Sequence, residues 1–111
     1  MDFQARKEAN ATVITLAGRL DAVTAPEYER RVQELVNGGD SRFVVDFDGL
    51  SYISSAGLRG LLVMAKLLKT KGGQVRFANV KGAVKEVFAI SGFNALFGMD
   101  ESVAAALETL S

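Results

Sequence analysis

Two adjacent hydroxyls, Ser54 and Ser55, stand immediately ahead of an apolar repeat with helical spacing, and Asp21 follows an earlier apolar run. Serines in that setting admit three kinds of chemistry. A serine at a helix start can cap it, its Oγ accepting from an otherwise unpaired N–H of the first turn, worth about 1 kcal/mol. It can accept a phosphate, because a helix N-terminus favours the charge of about −1.5 to −2 that phosphoserine carries at neutral pH. It can also be a nucleophile, which requires a base to activate it. The chain has no histidine and no cysteine. The usual general base, the usual metal ligand, the Ser-His pairing of hydrolases and all thiol chemistry are thereby absent. The nucleophile is the poorest of the three readings, and the chain is expected to be no enzyme, with no catalytic residue, metal site or cofactor of its own. Gly18-Arg19-Leu20-Asp21 and Gly72-Gly73 lack the spacing of nucleotide-binding loops and read as turns.

The elements that would position these groups can be read from periodicity. Residues 3–11 read as an edge strand whose charges Arg6, Lys7 and Glu8 discourage intermolecular pairing. Asn10 turns the chain into a second strand over 12–17, ended by Gly18. Thr24 and Glu27 have capping-box spacing and Pro26 falls in the first turn, so a helix is predicted through Tyr28, Val32, Leu35 and Val36, stopping at Asn37-Gly38-Gly39. A buried strand over 43–47 follows, broken by the turn pair Asp48-Gly49. The helix opened by the serines carries Leu58, Leu61, Leu62, Ala65 and Leu68 inward and stops at Lys71-Gly72-Gly73. A strand over 74–80 comes next, then a helix over 81–90 with Val84, Val87, Phe88 and Ile90 inward. A very short strand around Leu96-Phe97 and a last helix, capped by Asp100 with Val103, Ala104 and Leu107 inward, complete the chain.

Strands alternating with helices imply an α/β fold: a mixed, mostly parallel sheet of four to five strands with an antiparallel N-terminal edge, flanked by about four helices. Functional loops in such sheets follow the carboxyl ends of strands. If the 12–17 and 43–47 strands are parallel neighbours, Asp21 and Ser54-Ser55 share one rim.

At 111 residues the chain is expected to be a single domain spanning 1–111. Thirteen basic and thirteen acidic residues cancel, so no net field draws it to nucleic acid or anionic membrane. No run approaches the roughly 18 apolar residues of a membrane span, and the N-terminus does not resemble a signal peptide. A cytoplasmic location is expected.

On a helical wheel with Leu58 at zero, Val63 and Leu67 fall on the far side, with Gly60 nearby and Arg59 and Lys66 flanking. An apolar strip with basic edges reads either as a docking face beside the serines or as a helix covered on both sides.

The run from Asp46 to Leu58, Asp-Phe-Asp-Gly-Leu-Ser-Tyr-Ile-Ser-Ser-Ala-Gly-Leu, strongly resembles the signature of STAS domains of the anti-sigma factor antagonist type. Gly18-Arg19-Leu20-Asp21 and Gly72-Gly73-Gln74-Val75 match the same family, and the similarity covers essentially the whole chain. The resemblance implies a STAS-like fold and a partner switch. The unmodified protein would bind an anti-sigma factor that is also a serine kinase, freeing a sigma factor. The kinase, using its own Mg-ATP, would phosphorylate a serine at the start of the central helix and so end binding; a PP2C-type phosphatase would restore it. The family's phosphoacceptor signature is commonly Asp-Ser-Ser-Gly with the second serine modified. Aligned on Gly57, this chain places Ala56 at the usual acceptor position and Ser54 where the aspartate stands. Ser55 is the first choice of acceptor and Ser54 the second, and a domain that is never phosphorylated stays open. Asp21, Ser54, Ala56, Gly57, Arg59, Gly60, Val63 and Leu67 are then the expected partner-contacting residues. The alternative is a stand-alone STAS subunit or scaffold, of a lipid-transport complex or a stress-signalling particle, that binds constitutively.

Overall fold

The computed structural model describes residues 1–110, and its strands lie in one sheet in sequence order. Strand β1 (Asp2–Glu8) forms an antiparallel hairpin with β2 (Ala11–Leu20). The chain then crosses through α1 (Ala25–Asn37) to β3 (Arg42–Ile53), and through α2 (Ser55–Thr70) to β4 (Gln74–Ala78). Helix α3 (Gly82–Ser91), a 3₁₀ turn (Phe93–Ala95) and β5 (Gly98–Asp100) follow, and α4 (Val103–Leu110) closes the described chain. Each pair from β2 to β5 is parallel. The expected mixed sheet with an antiparallel N-terminal edge is therefore the observed one.

Side-chain alternation along the strands feeds two cores. Ile14, Leu16, Phe43, Val45 and Phe77 pack under α1, α2 and α3, whereas Ala11, Val13, Val44 and Ala78 face α4 through Ala106 and Leu110. Phe47, Phe77 and Phe88 meet edge to face at 5.3–6.0 Å, and Phe97 and Phe93 extend the cluster towards the 3₁₀ turn.

Several boundaries differ from the sequence reading, each for a local reason. Asp48-Gly49 is not a turn, for β3 continues through it to Ile53. The pairing of β2 with β3 steps from Thr15↔Asp46 to Ala17↔Gly49 and from Gly18↔Leu50 to Arg19↔Tyr52, so β3 absorbs one extra residue twice. These bulges convert the alternation into a period of three, which is why Phe47, Leu50 and Ile53 are all buried. Gly49 suits this close passage, because a Cβ would stand a tight 3.0 Å from Ala17 Cβ and 3.1 Å from the Leu16 carbonyl oxygen. Gly18 does not end β2; at φ +91° it lies inside the strand. The strand placed at Leu96-Phe97 starts two residues later, at Gly98. Asp100 does not cap α4: its carboxylate pairs with Arg76, and Ser102 Oγ accepts from the Ala105 N–H at 3.1 Å instead. Ile90 is exposed and so is Ala104; Ala106 and Leu110 are the buried residues of α4.

Candidate functional site

The serines sit where the two bulges deliver them. The Ser54 N–H donates to the Leu20 carbonyl at 3.0 Å, tying the end of β3 to the end of β2. Asp21 follows Leu20 directly, so the connector after β2 and the start of α2 share one rim, as the topology requires. Ser54 is the N-cap of α2, its Oγ accepting from the Gly57 N–H at 3.3 Å. Ser55 is the first residue of the helix and exposed, and among the described residues its hydroxyl has no hydrogen-bond partner. The two hydroxyls are thus chemically different: one is committed to the helix terminus, the other is free.

Asp21 organises the connector rather than pointing into empty solvent. Its Oδ1 accepts from the backbone N–H groups of Val23 at 3.0 Å and Thr24 at 3.2 Å, and Arg19 Nε lies 3.6 Å from Oδ2. The Thr24 hydroxyl accepts from the Asp21 N–H and donates to the Arg19 carbonyl, both at 2.9 Å. Thr24 is consequently spent on the connector, adopts a helical conformation and makes no side-chain cap, so the capping box with Glu27 does not form. The Thr24 N–H holds the Asp21 carboxyl below its usual range, against a smaller opposing push from desolvation, with the Val23 N–H, the Thr24 hydroxyl and Arg19 adding to the depression.

A folded-state pKa depressed below the unfolded value stabilises above the unfolded value, near 3.8, and that stabilisation is lost as pH falls through the folded value. Wild type is expected to lose stability below about pH 4 more steeply than Asp21→Ala. Chemical denaturation from pH 7 to pH 3 checks this. Parallel curves would mean that the carboxylate does not hold the connector.

Around the serines the rim is exposed and cationic. Arg59, one turn beyond Ser55, is exposed and has no ion-pair partner among the described residues. Arg19 stacks over the Tyr52 ring at 4.1 Å, and Val23 is 86% exposed. The sequence alone does not single out Arg19, Tyr52 or Val23 as residues of this rim. An aromatic two residues ahead of the serines was the available signal for Tyr52.

The buried arc of α2 is Leu58, Leu61, Met64 and Leu68, with Gly57 and Gly60. Met64, absent from the expected arc, takes a hydrogen bond on its sulfur from Tyr28 Oη at 2.8 Å, and burial pushes that hydroxyl's pKa up. Including Met64 and leaving out Leu62 and Ala65 turns the arc towards α1 by roughly half of one residue step of about 100°. Val63 accordingly remains 46% exposed, but Leu67 is half-buried against the core and does not lie on an outer face. With Gly60 and Met64 they line a narrow cavity of about 60 Å³ against Glu29 and Gln33 of α1. Leu62 and Ala65, expected inward, are half-buried on the other flank. Ala56 is half-buried beside Ser55, and Gly57 lies beneath against β2.

Asp46, a carboxylate that an enzymatic reading would have to bring to the serines, is eight positions upstream of Ser54, on the order of 25 Å along the strand. It accepts from Asn79 Nδ2 at 2.9 Å and joins β3 to the end of β4. No group of three carboxylates able to hold a metal ion exists among the described residues, and no helix is long and apolar enough to cross a membrane.

Comparison with known proteins gives consistent matches. The family model of the STAS domain matches residues 2–106. BtrV of Bordetella bronchiseptica, named as a candidate anti-sigma factor antagonist, is 38% identical over 100 residues, covering 87% of this chain and 86% of that protein. An anti-sigma factor antagonist of Mycobacterium paratuberculosis superposes with a TM-score of 0.88 at 20% identity, covering 97% and 92% of the two chains. The anti-sigma factor antagonist SpoIIAA in its unphosphorylated form gives 0.75 at 20% identity over 98% and 97%. The phosphorylated form of Bacillus SpoIIAA gives 0.76 at 20% identity over 99% and 100%.

Proposed function

The chain belongs to the STAS domain family, among the anti-sigma factor antagonists, and from that premise we propose that it is a partner switch controlled by phosphorylation of Ser55. Unmodified, it binds an anti-sigma factor that is also a serine kinase and so frees the sigma factor. Phosphate on Ser55, transferred from Mg-ATP held by that kinase, ends binding, and a PP2C-type phosphatase renews it. The protein is substrate and ligand in this cycle, not catalyst, and works in the cytoplasm.

One observation carries the choice of serine. The Ser55 hydroxyl is exposed and unbonded, whereas the Ser54 hydroxyl holds the first turn of α2. Phosphate on Ser54 would have to rearrange the cap bond that its Oγ already accepts from the Gly57 N–H, whereas phosphate on Ser55 gains the helix N-terminus without disturbing an existing bond. Arg59, four residues on, is free to pair with it. The modified domain therefore stays folded, and the consequence falls on the partner that covers the rim, which meets a dianion where it had met a hydroxyl.

The single feature favouring constitutive binding is Ala56, which stands at the usual acceptor position. Tandem mass spectrometry on protein purified from its own host, before and after PP2C treatment, separates the readings. A phosphatase-sensitive phosphate on Ser55 is the expected result. Phosphate on Ser54 would move the switch by one residue. Its absence in growth, stationary phase and stress would replace the switch with a constitutively bound subunit.

A further inference from the structure

Helix α2 has a second open flank, on the side away from α1. There Leu62, Ala65, Lys66 and Lys69 face Leu96 and Phe97 across a groove of about 250 Å³. The groove exists because β5 is only three residues long, so the sheet and the 3₁₀ turn stop short of covering that side of the helix. Its apolar lining is continuous with the main core: Phe97 packs at 4.8 Å on Phe77, and Val75, also in the groove, packs against the same cluster. Leu96 forms an outer wall and is 64% exposed.

The charge around this groove has one sign. Lys66 and Lys69 line it, no carboxylate does, and neither lysine is in an ion pair among the described residues. The chain as a whole is neutral, so this is a local excess of positive charge on an apolar trough. The volume falls short of the roughly 300–1,000 Å³ of small-molecule pockets, and the site is open rather than enclosed. A three-residue edge strand is too short to template an added strand. What fits an open apolar trough with cationic edges is the apolar stripe of a helix flanked by acidic residues. Among the described helices none offers such a stripe to a second copy: the large apolar residues of α1 and α4 are buried or half-buried, α1 mixes Arg30 and Arg31 with its glutamates, and Ile90 is the one large apolar side chain that α3 exposes.

We propose that this groove docks an acidic amphipathic helix of a partner protein, at a surface separate from the serine rim. Lys66 is eleven residues along α2 from Ser55, about 16 Å at 1.5 Å per residue, and the groove lies on the flank of α2 opposite Val63 and Leu67. The inference does not depend on the phosphoswitch. A ligand held here stays bound whether Ser55 is modified or not, which would allow a tethered partner to persist through the switching cycle.

The test is a heteronuclear NMR titration of the ¹⁵N-labelled chain with a synthetic helical peptide carrying leucines on one stripe and glutamates on both flanks. A second peptide with lysine in place of every glutamate is the control. Shifts confined to the amides around Leu62, Lys66, Lys69 and Leu96 are expected for the acidic peptide. Affinity should fall roughly tenfold in the double variant Lys66→Glu/Lys69→Glu, and similarly in Leu96→Glu. All three side chains are exposed, so both variants should fold, as their spectra would show. Ser55→Asp should bind the peptide like wild type. Equal binding of the lysine control, shifts mapping to the Val63 side of α2, loss of binding in Ser55→Asp, no binding at all, or dimerisation abolished by Leu96→Glu would each overturn the proposal.

Discussion

Replacing Gly57 with alanine is expected to destabilise the domain by about 2–3 kcal/mol, although alanine normally improves a helix by about 1 kcal/mol over glycine. A Cβ at this position would lie 2.6 Å from the Leu20 carbonyl oxygen and 2.8 Å from Ile53 Cγ1. The first obstacle is backbone, so the strain can be relieved only by lifting the first turn of α2 off the end of β2. That movement would pull on the Ser54 N–H to Leu20 carbonyl bond, which keeps the serines beside Asp21. Gly60 in the same helix provides the control. Its Cβ would meet nothing nearer than Glu29 Cγ at 3.6 Å, an ordinary contact. Gly60→Ala should therefore stabilise the domain by about 0.5–1 kcal/mol while adding a methyl beside the α1–α2 cavity. Urea denaturation with unchanged m-values measures both. Two glycines three residues apart in one helix should thus give opposite signs. Equal stabilisation of both would show that α2 does not approach β2 as closely as the geometry states.

What the sequence discloses follows from which interactions are local. The ends of α1 and α2 are legible at Asn37-Gly38-Gly39 and Lys71-Gly72-Gly73, and Gly39 and Gly72 do adopt positive φ, the conformation for which glycine is suited. The shared rim of Asp21 and the serines was legible too, because it needs only the rule that parallel neighbours put their following loops on one side. The bulges of β3 were not. Asp48-Gly49 is turn-forming by composition, and only the close passage of Ala17 and the Leu16 carbonyl on β2 makes it strand. Thr24 differs from the capping-box reading for a local reason, since the helix terminus and the Asp21 connector compete for one hydroxyl and the connector takes it. Met64 was missed because a wheel centred on Leu58 cannot see Tyr28, the residue that draws it inward. Contacts distant in sequence redirected Asp48-Gly49 and Met64, whereas Thr24 was claimed by neighbours three and five residues upstream.

For the switch, Ser55→Asp is expected to weaken binding of the anti-sigma kinase by about 2–3 kcal/mol, roughly thirty- to one-hundred-and-fifty-fold in Kd. A single carboxylate carries less charge than phosphate, so the phosphorylated protein should lose more. Ser55→Ala should bind within about twofold of wild type, because no hydrogen bond of the free domain is lost with the hydroxyl, and it should persist as a complex in the presence of Mg-ATP. Ser54→Ala separates local stability from signalling: losing the Gly57 cap should cost about 1 kcal/mol of folding stability while leaving phosphorylation of Ser55 in place. Calorimetric titration of the three variants against the kinase partner recovered with wild type, alongside their unfolding curves, distinguishes these outcomes. If Ser55→Asp binds like wild type, the partner does not cover this rim, and the free hydroxyl of Ser55 has no part in the switch. If Ser55→Asp loses affinity but Ser55→Ala loses as much, the hydroxyl itself is a contact and charge is not what ends binding. Only loss with aspartate and retention with alanine is consistent with a switch operated by charge at the first residue of α2.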